Sequence, residues 1–462
     1  MAQPRVIVVG AGPAGVRCAQ TLVEAGLKPV VIDEGRRDGG QIYRRQPEGF
    51  QRAYAVLYGS EADKAADLHR SFEALRAQID YRPETLAWNV TAGNLHVVHE
   101  GTRTATLRFD ALVACSGATD RLLPVEGWNL AGCYSLGAAQ ISLKSQACAI
   151  GRRVVFMGTG PLLYLVAAQY VKAGANVLAV LDTSAFSRRL RALPALAARP
   201  DVLIKGIVLT NTLRKAGVAI HTGATPLRIK GTPEAGVQGV VVRDGKGREL
   251  LFDCDAVALG YHLRAETQLA DLARCDFRFD NESRQWLPKI DVDGRSSVAG
   301  VYLAGDGVRI LGADGAEAAG RLAALAVLSD LGRPVAQETT SELRRTLATM
   351  DRFRRGLAQA FPWPHELAAT LPDAAVVCRC ETITAGELRR VVTDMGGSEM
   401  NRSKAFSRVG MGRCQGRYCG HAAAEIVAHA AGVPIEMVGR LRGQGPVKPL
   451  PMAAFEAVTE AD

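Results

Sequence analysis

Residues 5–34 read RVIVVGAGPAGVRCAQTLVEAGLKPVVIDE. The apolar run from Arg5 to Val9 has the length of a short buried strand, and Gly10-x-Gly12-x-x-Gly15 follows it, with Pro13 and Ala14 filling the gap before the third glycine. Val16, Ala19, Leu22 and Val23 recur at helical spacing until Gly26, and a second strand is expected over Pro29 to Ile32. A strand, turn, helix and strand with these glycines form a dinucleotide fingerprint: Gly10 makes the tight turn, Gly12 lets a pyrophosphate approach the backbone, and Gly15 lets the helix close on the strand. An acid for the ribose hydroxyls belongs about 20 residues on, where Asp33 and Glu34 stand. Both are candidates. Neighbouring side chains on a strand point to opposite faces, so Glu34 is preferred for the site and Asp33 reads as a solvated strand end.

At 462 residues the chain exceeds the size at which one core keeps growing, and about two to four domains are expected. Hydrophobic residues at 48% and charged residues at 22% exclude wholesale disorder and a membrane bundle. No run of about 18 apolar residues and no leader pattern is found, so a cytoplasmic protein without a transmembrane segment is expected.

A helix is expected from Glu61 to Leu75, short strands near Leu95 to Val98 and Thr106 to Phe109, and a buried strand from Ala111 to Ala114 that opens into Cys115-Ser116-Gly117. A second strand, turn and helix starts at Gly151: Val154 to Met157 lead into Gly158-x-Gly160-x-x-Leu163, and a strand from Val177 to Leu181 ends in Asp182. The third glycine is replaced by Leu163, which weakens a nicotinamide-nucleotide signal. Arg188 and Arg189 suit either a 2′-phosphate or a solvated turn. Further on, Gly300 to Gly307 read GVYLAGDG before a helix from about Ala316 to Leu328. A strand ending in Ala-Gly-Asp can present a carboxylate to a polyol while the following helix N-terminus faces an electron-rich ring.

Of ten cysteines, six are scattered singly and four are grouped as Cys378-x-Cys380 and Cys414-x4-Cys419. Such a distribution points to a reducing compartment and a metal centre. Four thiolates in two close pairs fit a [2Fe–2S] cluster or structural zinc, although zinc more often uses two-residue gaps. Glycines around Cys414 and Cys419 let backbone N–H groups turn towards sulfur. The formal charge is +9 and is concentrated here: residues 401–450 carry eight basic and two acidic residues. With only Phe406 and Tyr418 interleaved among Arg402, Lys404, Arg408, Arg413 and Arg417, a base-stacking surface is unsupported, and no nucleic-acid partner is expected. Docking an acidic partner, balancing an anionic centre and a plain solvated face all remain open. His421 and His429 are expected on a helix surface.

The order of the Gly10–Gly15 turn, Glu34, Gly40-Gln41, Cys115-Ser116-Gly117, a second glycine-rich turn and Leu303-Ala304-Gly305-Asp306 resembles the two-dinucleotide-domain flavoproteins of the glutathione-reductase type over about residues 4–335. The resemblance implies an α/β fold with two Rossmann-like domains. An FAD domain (1–120 and 286–335) would be split by an NAD(P)-like insert (121–285). By the same resemblance Glu34 would bind the adenosine ribose, Asp306 the ribityl chain, and Gly40 and Gln41 the flavin side. Ser116, Gly117 and Gly305 would line the FAD, and Gly158 and Gly160 would hold NAD(P) or another adenine nucleotide. No cysteine pair follows Gly39-Gly40, so the exchange pair of a disulfide reductase is missing.

After a connecting segment (336–374) with a charged helix around Ser341 to Leu357 and prolines at 362, 364 and 372, the cysteine region resembles the small helical [2Fe–2S] domain of bacterioferritin-associated ferredoxin. That domain is expected over 375–440, with Cys378, Cys380, Cys414 and Cys419 as ligands and 441–462 as a tail. Nearly the whole chain resembles the larger electron-transfer subunits of bacterial amino-acid dehydrogenase complexes, the group of opine oxidase, D-hydroxyproline dehydrogenase and cyanide-forming glycine dehydrogenase. This implies a flavin-dependent oxidoreductase subunit that relays electrons from a catalytic flavoprotein partner, with a small ferredoxin-like subunit as a further candidate partner. Two other readings stay open: a self-sufficient NAD(P)H-dependent reductase of a ferredoxin-type partner, and an assembly subunit whose cofactors only hold its shape. No acid, base or nucleophile constellation is evident in the sequence, and the substrate is not indicated.

Overall fold

The computed structural model describes residues 3–457. Strand β1 (Val6–Val9) runs into helix α1 (Pro13–Glu24), which has Pro13 in its first turn and ends before Gly26 at φ +77°. Strands β2 (Val30–Ile32), β3 (Asp80–Arg82) and β4 (Ala111–Ala114) follow, and β5 (Ala118–Asp120) leaves the first body. The second body holds β6 (Cys133–Ser135), helix α2 (Leu136–Ser145), β7 (Val154–Thr159), helix α3 (Pro161–Lys172), β8 (Val177–Asp182), β9 (Ala219–Thr222) and β10 (Ala256–Tyr261). The chain returns through β11 (Leu263–Ala265), antiparallel to β5, to β12 (Val301–Leu303) and helix α4 (Gly312–Asp330). Helix α5 (Gln337–Ala360), a short pair β13 (Val376–Cys378) and β14 (Ile383–Thr384), helix α6 (Ala385–Met395) and helix α7 (Gly420–Ala431) complete the main elements.

The first sheet is parallel with order β12-β4-β1-β2-β3, and the second is parallel with order β9-β8-β7-β10-β6. Both are doubly wound, and the strand order reverses beside β1 in the first and beside β7 in the second, which is where a crevice forms at the carboxyl ends. Apolar residues on both faces of β1, β4, β7 and β10 make these strands central. Helices α1 and α4 cover one face of the first sheet; a Cβ on Gly320 would lie 2.0 Å from the Ala14 carbonyl oxygen, so only glycine permits this approach. The other face shares a core with Leu95, Leu107, Leu269, Ala270 and Cys275. An antiparallel meander over 85–91, 94–99 and 103–108 supplies part of that layer.

The cysteine module is not a free appendage. Val377, Leu388, Ala422 and Ile426 belong to one buried core with Val155, Met157 and Leu259 of the second sheet. Trp128 Nε1 donates to the Val376 carbonyl, and Trp363, from the proline-rich segment, is buried in the same core. Burial of one such indole contributes on the order of 3 kcal/mol. Helix α6 starts at a reciprocal cap in which Thr384 Oγ1 accepts from the Glu387 N–H and Glu387 accepts from the Thr384 N–H at 2.7 Å. It ends at Gly396 in the left-handed region. Among the described residues no helix is long and apolar enough to cross a membrane.

Candidate flavin and cluster site

Gly10 stands at φ +106°, and a Cβ there would lie 2.4 Å from the Cys115 carbonyl oxygen; a Cβ on Gly15 would lie 1.7 Å from the Gly10 oxygen. Both contacts exclude any side chain, so the turn exists because these residues are glycines. Gly12 meets only the Gly40 Cα, and Gly39 donates its N–H to the Ala11 carbonyl at 2.9 Å, so the two glycine turns close on each other. Gly12, Pro13 and Ala14 on one side and Gly40 and Gln41 on the other face one cavity of about 2550 Å³. Ser116, Gly117, Gly305 and Asp306, from the ends of β4 and β12, face it too. The unpaired N–H groups at the start of α1 supply the positive end that a pyrophosphate requires. Asp306 Oδ1 accepts from the Leu311 and Gly312 N–H groups at 2.9 and 3.1 Å, which fixes the carboxylate at the cavity wall, and burial pushes its carboxyl up to about 6. A cradle of bare backbone with one fixed carboxylate fits FAD.

The reading of Asp33 requires a correction. Strand β2 ends at Ile32, so alternation no longer governs the next two residues. Asp33 is not a solvated strand end: its carboxylate accepts from Ala11 N–H at 2.5 Å and Gly35 N–H at 2.6 Å and braces the fingerprint turn. Burial raises its carboxyl against those two donors. Glu34 lies more exposed on the cavity rim and forms an ion pair with Lys448.

In the second body Gly158 is forced by Gly260, whose oxygen would sit 1.7 Å from a Cβ, and Gly160 stands at φ +105° against the His262 ring. Gly160, Tyr164 and Arg189 also line the large cavity, but the polar groups of this turn are engaged with one another. Leu163 is fully buried in the insert core. Asp182, the acid at the end of β8, is also fully buried and accepts from Thr159 Oγ1 and Tyr164 OH at 2.8 and 2.9 Å. It further accepts from the Ser184 N–H at 2.8 Å and pairs with Arg189 at 2.5 Å. Arg189 in turn lies over the Tyr164 and Phe361 rings. His262 Nε2–H donates to the Phe361 carbonyl, which closes the turn from the other side.

The four grouped cysteines converge. Cys419 contacts both Cys378 and Cys414, and Cys414 contacts Cys380. Hydrogen bonding from Cys419 holds the Cys378 and Cys414 thiols below their ordinary range, while the Cys419 thiol is pushed up. Backbone N–H groups of Gly410, Glu381, Gly416 and Tyr418 also point at the sulfurs of Cys378 and Cys414. The loop is tight for a reason: Gly410 and Gly416 have positive φ, and a Cβ on Gly412 would lie 2.2 Å from the Cys380 Cβ. Among the described residues no three His, Cys, Asp or Glu side chains surround a single-ion position. The sulfurs instead run in series, 378–419–414–380, with backbone donors around them, and this donor set fits a four-thiolate [2Fe–2S] centre. His421, at the start of α7, is half-buried rather than fully on the helix surface; burial, reinforced by the nearby Arg121 and Arg264 charges, pushes its imidazole far down.

Residues outside the sequence motifs join the two centres. Cys380 and Cys414 line the same cavity as the fingerprint turn. Ser116 Oγ donates to the Glu266 carbonyl at 2.5 Å, and the Glu266 carboxylate pairs with Arg417 at 2.7 Å. Arg417 also donates to the carbonyls of Val447 at 2.8 Å and Cys414 at 3.3 Å. Gln268 Nε2 donates to Gln415 O at 2.8 Å. Glu266 carries no local signal in the sequence, because its partner is 151 residues away. Arg417 stands out there only as one basic residue among several.

Comparison with known proteins agrees with this geometry. Residues 4–323 match the pyridine nucleotide-disulphide oxidoreductase family and residues 376–429 the BFD-like [2Fe-2S] binding domain. The chain is 37% identical to one of the subunits of opine oxidase from Agrobacterium tumefaciens, with 99% of this chain and 94% of that one covered. It is 30% identical to the HcnB subunit of hydrogen cyanide synthase from Pseudomonas aeruginosa, with 99% of both covered. The crystal structure of L-proline dehydrogenase from P. horikoshii superposes with a TM-score of 0.68 at 18% identity, covering 97% of this chain and 78% of that one, and shares its fold. This chain is a flavin-dependent oxidoreductase subunit of the amino-acid dehydrogenase type that takes FAD and a [2Fe–2S] cluster, and it belongs to the pyridine nucleotide-disulphide oxidoreductase family alongside HcnB and its opine oxidase counterpart.

Proposed function

We propose that this chain is the relay subunit of a heteromeric amino-acid or opine dehydrogenase. A partner flavoprotein oxidises the C–N bond, and this chain passes the electrons to an acceptor. The observation that carries the reading is the common cavity: its wall includes the FAD turn at Gly10–Gly12 and the ligand candidates Cys380 and Cys414. FAD exchanges electrons in pairs or singly and a [2Fe–2S] centre singly, so the two together convert a two-electron oxidation into one-electron output. The chain's own residues do the holding. Asp33 braces the turn, Asp306 waits for the polyol, and Arg417 with Glu266 fixes the cysteine loop against the strand end that carries Ser116. Both relatives are by name subunits of larger enzymes, opine oxidase and hydrogen cyanide synthase, which supports a partner.

A self-sufficient NAD(P)H-dependent reductase is disfavoured by Asp182, whose carboxylate already has four partners and is not free for a ribose. The test is purification of the chain alone and with its partner. The complex is expected to reduce a dye with substrate while the isolated chain does not; substrate-dependent dye reduction by the isolated chain defeats the division of labour.

A further inference from the structure

The flavin cavity has a second polar corner whose charge is unbalanced. Arg44 and Arg52, from the loop after Gly39-Gly40, and Lys144, from the last turn of α2, all reach its wall. Lys144 is 4% exposed and donates to the Ile42 carbonyl at 3.2 Å. Arg44 donates to Gln41 Oε1 at 2.6 Å, and Arg52 to the carbonyls of Leu143 and Lys144 at 2.9 and 3.1 Å. Every one of these acceptors is neutral. Among the described residues the buried Nε groups of Arg44 and Arg52 have no acceptor.

Elsewhere on the same cavity Lys64 and Arg199 pair with Asp314, and Lys205 pairs with Glu61. Lys172, Arg214, Arg379 and Arg413 also line it without an ion pair among the described residues, but Lys144 is distinguished from them by its burial. Buried cations without an anion are costly, and the corner shows it: burial, with Arg44 adding repulsion, pushes Lys144 down to about 8, and burial lowers Arg44 although Asp33 pulls the other way. The phosphates of FAD do not account for the corner. They belong at the α1 N-terminus, whereas Arg52 and Lys144 stand where the loop after Gly40 meets α2, and Arg44 lies between the two, within reach of the Asp33 charge.

We propose that Arg44, Arg52 and Lys144 form a receptor for the compact dianionic end of a small ligand, a phosphate monoester or a dicarboxylate, that enters the flavin cavity. Two guanidinium groups offer two-point contact to either anion, and the ammonium adds a point charge. The assignment is independent of the relay reading.

The test uses the full-length chain with FAD bound, titrated with inorganic phosphate and separately with succinate. Binding is followed by calorimetry and by the visible spectrum of the flavin. At least one probe is expected to bind saturably, with affinity reduced about tenfold to a hundredfold by Lys144→Met or Arg44→Met, retained by Lys144→Arg, and with FAD content unchanged. Preference for phosphate identifies a phosphate monoester, and preference for succinate a dicarboxylate. If Lys144→Met does not fold, Arg44→Met decides. Absence of saturable binding, or equal binding in parent and variants, overturns the assignment. Loss of FAD from the variants also overturns it, because the cations would then serve the flavin itself.

Discussion

Replacing Arg417 with Ala removes the tie between the cysteine loop and the flavin cavity, and the consequence can be worked from the contacts. Arg417 and Glu266 are 9% and 13% exposed at their side chains and meet at 2.7 Å. Removing one member of a buried pair costs about 3–5 kcal/mol, because the other charge is left uncompensated. Arg264 stays 3.9 Å from Glu266 and takes up part of that charge, which argues for the low end. The Val447 and Cys414 carbonyls lose their donor as well. A local loss of about 3 kcal/mol corresponds to a roughly hundredfold change in an opening equilibrium. Amide hydrogen exchange on the FAD- and cluster-loaded chain reads this directly. Protection in residues 410–420 and 445–448 should fall about a hundredfold while β1 and β4 stay as in the parent. Glu266→Gln, which keeps an acceptor, should lose about tenfold. Exchange in the loop unchanged within a factor of about three would refute the reasoning. The sign with pH is also fixed. Burial works to raise the Glu266 carboxyl, but Arg264 and Arg417 outweigh it and hold it below the ordinary value. The tie is therefore complete above the unfolded pKa of about 4.3 and is lost as pH falls through the lower folded value.

Four further outcomes follow from the site. Cys414→Ser should abolish the visible [2Fe–2S] absorption and leave FAD bound; metal analysis that finds zinc in the parent in place of iron would count against the cluster. Gly15→Ala places a Cβ 1.7 Å from the Gly10 oxygen, so α1 must shift, at about 1–3 kcal/mol or more, and FAD retention on gel filtration should drop at least about tenfold; parent-like flavin content would show that the turn tolerates displacement. Asp306→Ala should weaken FAD retention, and unchanged occupancy would remove the polyol role. In the FAD-free parent, ionising a carboxyl raised to about 6 costs stability that is present below about pH 4 and lost as pH rises through about 6. Asp306→Asn should flatten that dependence in thermal unfolding.

Much of this is legible in the sequence where the determinant is local. Gly10, Gly12 and Gly15 fix a turn by contacts within a few residues, and strand β1, helix α1 and strand β2 lie within a residue or two of their expected bounds. The two cysteine pairs likewise announce themselves by spacing. Asp33 departs from its expected role because the chain leaves strand geometry at Ile32 and the carboxylate turns back to the Ala11 and Gly35 N–H groups, while Glu34 stays on the cavity rim. The helices over 186–196 and 200–215 do not turn all their apolar residues to the core: Phe186, Leu190, Ile204, Ile207 and Val208 stay more than half exposed, and Pro194 lies inside the first of them. Residues 441–462 read as a tail, yet Val447 is buried in the core of the first body and donates to the Trp88 carbonyl, and Lys448 reaches Glu34. These contacts, like Arg417 with Glu266 and Trp363 beneath the cysteine module, join positions far apart in the chain, and no local pattern encodes them.

The most direct measurement is anaerobic electron paramagnetic resonance of the [2Fe–2S] centre, made on the loaded chain alone and in its complex with the partner flavoprotein. The account predicts a reduced-cluster signal when an amino-acid or opine substrate is added to the complex, and no signal when the same substrate, NADH or NADPH is added to the chain alone. A cluster reduced by NADH or NADPH in the isolated chain, or one that stays oxidised while the complex turns over, would contradict it.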